Sequence, residues 1–179
     1  MLMDAVHRRN KATINRLRAR PGDCPDLNRE LFEGIATDKL DQLPWLLEAG
    51  ADPNGSYGDA CFPPLALAYM KRAFSYHGTK VPMADRSTAA LALLLKQGAD
   101  PNLQWATGCG GVSSPLWTGV KGLTPTMIAA VAGDIEFVTL LVDAGANVSA
   151  RDSKGRTAVF YARASHQPSA PEIVALLSR

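Results

Sequence analysis

The sequence predicts an all-α solenoid of about five helix-turn-helix units, and three observations carry that prediction. One phrase occurs three times: Leu46-Leu47-Glu48-Ala49-Gly50-Ala51-Asp52-Pro53-Asn54, Leu94-Leu95-Lys96-Gln97-Gly98-Ala99-Asp100-Pro101-Asn102, and Leu140-Leu141-Val142-Asp143-Ala144-Gly145-Ala146-Asn147. A second motif opens a unit at Thr124 and returns at Thr157, 33 residues later. Between opening and phrase, apolar residues keep helical spacing and glycines fall where helices end. Repetition of this kind marks a stack of short units, each burying its neighbour's apolar face. Such a stack offers an extended surface to a partner and brings no chemistry of its own.

The clearest unit runs from Gly122 to Val148. Thr124 can cap a helix with its hydroxyl, and Pro125 suits the first helical position, where no amide donor is needed. Ile128, Ala129 and Ala132 give a narrow apolar stripe with small residues that let a neighbouring helix approach. Gly133-Asp134 breaks that helix. A second follows, with Phe137, Val138, Leu140 and Leu141 at core spacing, and Gly145 is placed to take the left-handed conformation that ends it.

These residues resemble the ankyrin repeat family. Its Thr-Pro-Leu-His-x-Ala-Ala opening, Leu-Leu pair and Gly-Ala-Asp close are visible, with Thr126 and Met127 in place of the usual Leu and His. Loss of that His removes a hydrogen bond between neighbouring loops. The resemblance covers nearly the whole chain and implies one all-α ankyrin-repeat solenoid with β-turn finger loops.

On that template the approximate units are an N-terminal cap (1–27), 28–60, 61–120 with two insertions, 121–153, and a C-terminal cap (154–179). In the cap, Leu2, Ala5 and Val6 share one face, and Ile14 and Leu17 belong to a second helix. Leu31 and Ile35 belong to the next first helix, and Leu40, Leu43, Leu46 and Leu47 to its partner. Pro44 inside that helix would cost about 3 kcal/mol, so the helix starts late or bends. The last unit closes with Glu172-Ile173-Val174-Ala175-Leu176-Leu177.

Both insertions belong to the third unit, and each adds about 14 residues to the template. The first, around Met70–Pro82, lengthens the helices: Leu67, Met70, Phe74 and His77 follow helical spacing, and Met83 to Lys96 forms a matching long second helix. The second, Leu103 to Lys121, sits where ankyrin units project their fingers. Ordering about 14 residues costs on the order of 14–28 kcal/mol of backbone entropy. Burying a Trp returns about 4–6 kcal/mol. Trp105 and Trp117 alone therefore cannot fix the finger; it packs widely on the helices or is ordered by a partner.

Composition narrows the classes of function. Of 179 residues, 46% are hydrophobic and the net charge is only +2, which gives no general pull toward nucleic acid or membrane. Arg8, Arg9, Lys11, Arg16, Arg18 and Arg20 gather in the first unit, where they serve as the polar cap a solenoid end requires. The rival reading, nucleic-acid contact, predicts binding that weakens steeply with salt. Cys24, Cys61 and Cys109 are odd in number and widely spaced, as reduced thiols of a cytoplasmic protein would be. No secretion signal or run of about 18 apolar residues is visible. His7, His77 and His166 stand at no metal-ligand spacing with these cysteines. Thr107-Gly108-Cys109-Gly110-Gly111 lacks the Gly-Lys-Ser/Thr ending of a phosphate loop, and no base accompanies Cys109. Asp85, Arg86, Asp134 and Glu136 read as solvated helix starts.

The expected function is thus non-enzymatic binding of another protein by a monomer, without cofactor, metal or membrane. The resemblance implies the concave face of the first helices and the finger tips as the surface. Tyr57, Asp59, Phe62, Tyr69, Trp105, Leu116, Trp117 and Arg151 are the candidate contacts, with Tyr76 and Arg156 behind them. Aromatic and Arg side chains would anchor a partner inside a polar rim. A stoichiometric inhibitor of an enzyme, of antitoxin or immunity type, is the alternative, together with an effector that mimics a host scaffold.

Overall fold

The computed structural model describes residues 26–55, 63–73, 88–104 and 119–178. They contain eight helices: α1 (Leu27–Ala36), α2 (Leu43–Glu48), α3 (Pro64–Ala73), α4 (Ala89–Lys96), α5 (Pro125–Ala132), α6 (Ile135–Asp143), α7 (Ala158–Ala164) and α8 (Ala170–Leu177). Successive helices pair, giving four helix-turn-helix pairs among the described residues. The expected N-terminal cap, with its Arg cluster, and the bulk of both insertions lie outside these residues. So do the three cysteines, His7, His77, Asp85 and Arg86.

The pairs stack in two rows. First helices α1 and α3 pack together, as do α5 and α7, while second helices α4, α6 and α8 follow one another in the other row. A continuous buried cluster runs through both rows, from Leu31 and Ile35 through Leu65, Leu94 and Phe137 to Tyr161, Ile173 and Leu177.

Local chemistry sets the helix ends. Asp26 receives the amides of Asn28 and Arg29 at 3.0 and 3.2 Å and so starts α1. Thr124 caps α5 by accepting the Met127 amide at 3.4 Å, with Pro125 in the first turn. Gly133 ends α5 at φ 75°, and Asp134 begins α6 at once by accepting the Phe137 amide at 3.1 Å. A Cβ at Gly133 would meet Gln167 Cβ at 2.7 Å and Ser169 Oγ at 2.8 Å, so close approach as well as handedness requires glycine there.

The helices bear on three expectations. Helix α2 does start late, at Leu43 with Pro44 in its first turn, which leaves Leu40 in the preceding turn. Of the long helix expected from Met83 to Lys96, α4 covers Ala89 to Lys96 with Thr88 (φ −95°, ψ 3°) outside it, and residues 83–87 lie outside the described residues. The stripe on α5 is in fact broader: Pro125 to Ala130 are each buried while Ala132 is only partly so, and α6 and α7 both pack against this short helix.

The repeated Asp-Pro-Asn explains the register of the stack. Asp52 and Asp100 turn the chain by accepting the amides of Asn54 and Asn102, both at 2.8 Å. Each asparagine then reaches the next unit: Asn54 Oδ1 accepts the Asp100 amide at 2.7 Å, and Asn102 Oδ1 the Asn147 amide at 2.7 Å. Asn28 does the same for the Asp52 amide at 2.8 Å. One side chain per unit thereby ties successive loops.

Candidate protein-interaction surface

The best-defined part of the expected surface is the finger that precedes α7. Residues 151–156 form a tight turn closed by the Asp152 amide on the Arg156 carbonyl at 3.0 Å and the Gly155 amide on the Asp152 carbonyl at 2.9 Å. The Asp152 side chain is fully buried beneath it. Its Oδ1 accepts the amides of Lys154 (2.7 Å) and Arg156 (3.0 Å); its Oδ2 accepts Arg156 Nε (2.8 Å) and the Tyr161 hydroxyl (2.5 Å). Burial alone would raise the Asp152 pKa, but these donors outweigh it and hold the carboxyl down at about 2. The Tyr161 phenol is pushed up, first by burial and then by its bond to that carboxylate.

This finger is tied to its predecessor. The Ser153 amide donates to the Lys121 carbonyl at 2.9 Å, and Ser153 Oγ accepts the Lys121 amide at 3.0 Å. Arg151 is exposed at the rim, where Nη1 donates to the Gly155 carbonyl at 2.7 Å. Arg156 is half-buried, with its guanidinium 4.9 Å above the Tyr161 ring and 5.4 Å above the Phe160 ring.

Tyr69, expected at the surface, is instead part of the core. It is 2% exposed and stacks on Phe137 with centroids 4.7 Å apart and planes 21° apart. Burial, then the nearby Asp134 charge, push its phenol pKa up. It lies on the buried side of α3 because the second helix of the next unit covers it. Tyr57, Asp59, Phe62, Tyr76, Trp105, Leu116 and Trp117 lie outside the described residues. Arg151 and Arg156 are thus the expected contacts that the described surface brings together.

Asp134 also departs from expectation. It is buried rather than solvated, with its carboxylate held by Arg72 through Nε–Oδ2 at 2.7 Å and Nη2–Oδ1 at 2.9 Å. Glu136 adds a contact to Nη2 at 2.7 Å and remains half-exposed. Burial would lower the Arg72 pKa, but hydrogen bonds and charge from Asp134 and Glu136 reverse that and keep the guanidinium protonated. Beside it, Lys71 points the other way and donates to the Ile35 and Ala36 carbonyls, both at 2.9 Å, with Asp38 Oδ1 at 2.6 Å. Two adjacent cations on α3 thus fasten the unit before and the unit after. Sequence pattern missed them because Lys-Arg next to an insertion looks like any solvated helix end.

Stacked helix pairs with tied fingers define a solenoid of interaction type. A model of ankyrin repeats in three copies matches residues 83–178. The chain belongs to the ankyrin repeat family, whose members are in general non-enzymatic protein–protein interaction modules. No curated protein matches the chain. No helix among the described residues is long and apolar enough to cross a membrane, and no group of three or more His, Cys, Asp or Glu among them could hold a metal ion.

Proposed function

We propose that the chain binds a protein partner without turnover, through the concave face of its first helices and its finger loops. The observation that carries this reading is the finger at 151–156: its only carboxylate is spent internally, and Arg151 stands exposed at its rim. Tyr57, Asp59, Phe62, Trp105, Leu116 and Trp117 remain the proposed contacts on the neighbouring units, with Arg151 and Arg156 on the last.

The test is a paired capture from native lysate with mass spectrometry. One bait is the intact chain, and the other has residues 104–120 replaced by a short turn. A partner held by the intact bait alone supports the long finger, and its identity tells whether an enzyme is being inhibited. A partner held equally by both moves the site to the helical face. With the partner in hand, alanine at Trp105 and Trp117 should weaken binding at least about tenfold. Unchanged affinity would remove the finger from the surface.

A further inference from the structure

Phe160 is the exposed large apolar side chain among the described residues, at 45% exposure, and it stands on α7 directly after the basic finger. Lys121, Arg151, Lys154 and Arg163 are exposed around the finger and α7, and Arg156 lies against the Phe160 ring. Asp152 is the acid within residues 151–163, and its buried carboxylate already serves four donors. The exposed charges of residues 151–163 are therefore all positive. Phe160 is also held in place, edge-on to Tyr161 with centroids 5.7 Å apart. A fixed ring and a pinned arginine lose little freedom on binding.

We propose that the 151–156 finger and the outer side of α7 form a docking site for an acidic segment of a partner protein. An apolar side chain of that segment packs on Phe160, and its carboxylates meet Lys121, Arg151, Lys154 and Arg163. The inference rests on the protein-binding reading above and names the chemistry of the partner. Nucleic acid would also meet these charges; a protein segment is the reading taken because the family's members are in general protein-interaction modules, and nucleic acid is an outcome of the test.

A random peptide library selected on the full chain provides the test, followed by affinity measurements on Phe160→Ala and Arg163→Glu. Arg163 is exposed, so thermal unfolding of Arg163→Glu should match that of the parent, whereas Phe160→Ala gives up the Tyr161 and Arg156 contacts and its unfolding is measured beside its affinity. The expected result is enrichment of Asp- and Glu-rich peptides bearing an aromatic or branched residue. Their binding should weaken as salt rises and fall at least about tenfold in each variant. Neutral or basic selected peptides, no enrichment, or parental affinity in both variants would overturn the proposal. So would retention of a single-stranded oligonucleotide through these same residues. If the captured partner binds both variants normally, this site falls while protein binding stands; if the intact chain retains neither peptide nor protein, both readings fall.

Discussion

Two junctions in this stack are built from different materials. Where the units follow at the regular 33-residue spacing, α5 and α7 meet through small residues such as Ala129, Ala130, Ala158 and Ala162, all buried. Across the junction that carries the long insertion, side chains reach over from α3: Tyr69 stacks on Phe137, and Arg72 grips Asp134 and Glu136 at the start of α6. Small apolar residues suffice when spacing presents the next helix squarely. An ion pair needs geometry at only a few atoms, so it can fasten two units that the chain between them does not align. A buried pair is costly to break even where an apolar replacement of both partners matches it in stability.

The largest expected effect follows from that cost. Arg72→Met leaves the Asp134 carboxylate, with 1% of its side chain exposed, without its countercharge, and should lower stability by about 3–5 kcal/mol. Urea denaturation monitored by circular dichroism measures it. The double variant Arg72→Met, Asp134→Asn keeps an oxygen to cap α6 and should recover most of the loss. Equal stability of the single variant and the parent would mean that the junction is held by Tyr69 and Phe137 alone.

The second effect belongs to the regular end of the stack and depends on pH. Asp152 has its pKa at about 2 in the folded chain against an ordinary 3.8, so its ionised form favours folding. That stability is fully present above about pH 4 and is lost as pH falls toward 2. The shift corresponds to about 2 kcal/mol. Asp152→Asn should therefore flatten the fall in stability over this window. Parallel acid profiles for parent and variant would refute the assignment.

What could be read in the sequence divides along the same line. The Thr124-Pro125 start, the Gly133-Asp134 break and the Leu-Leu-x-x-Gly phrases were legible because their chemistry is local and repeats. The use of Asn54 and Asn102 was less so: recurrence exposed the residues, but a bond to a unit 45 or 46 residues away has no local signature. Asp134 and Tyr69 were misread, and Arg72 was missed, for one reason. Their partners lie across an insertion, so a polar or amphipathic residue at a helix end gives no sign that it is buried. The Phe160 patch escaped because an isolated Phe on a periodic helix is ordinarily core, and α7 exposes it only through how the helix packs.

The smallest effect tests how well the regular junction is packed. Thr126 takes the place of the family's usual Leu inside α5; it is 1% exposed, and its hydroxyl has no hydrogen-bond partner. Thr139 shows the ordinary solution on the exposed side of α6, where its hydroxyl donates to the Ile135 carbonyl at 2.8 Å. An unmet buried hydroxyl costs about 1–3 kcal/mol, and valine has nearly the same shape without it. Thr126→Val should therefore stabilise the chain by about 1 kcal/mol, raising the thermal midpoint by a few degrees. A lower midpoint would show that the hydroxyl does find an acceptor, and that the small-residue junction carries a polar contact after all.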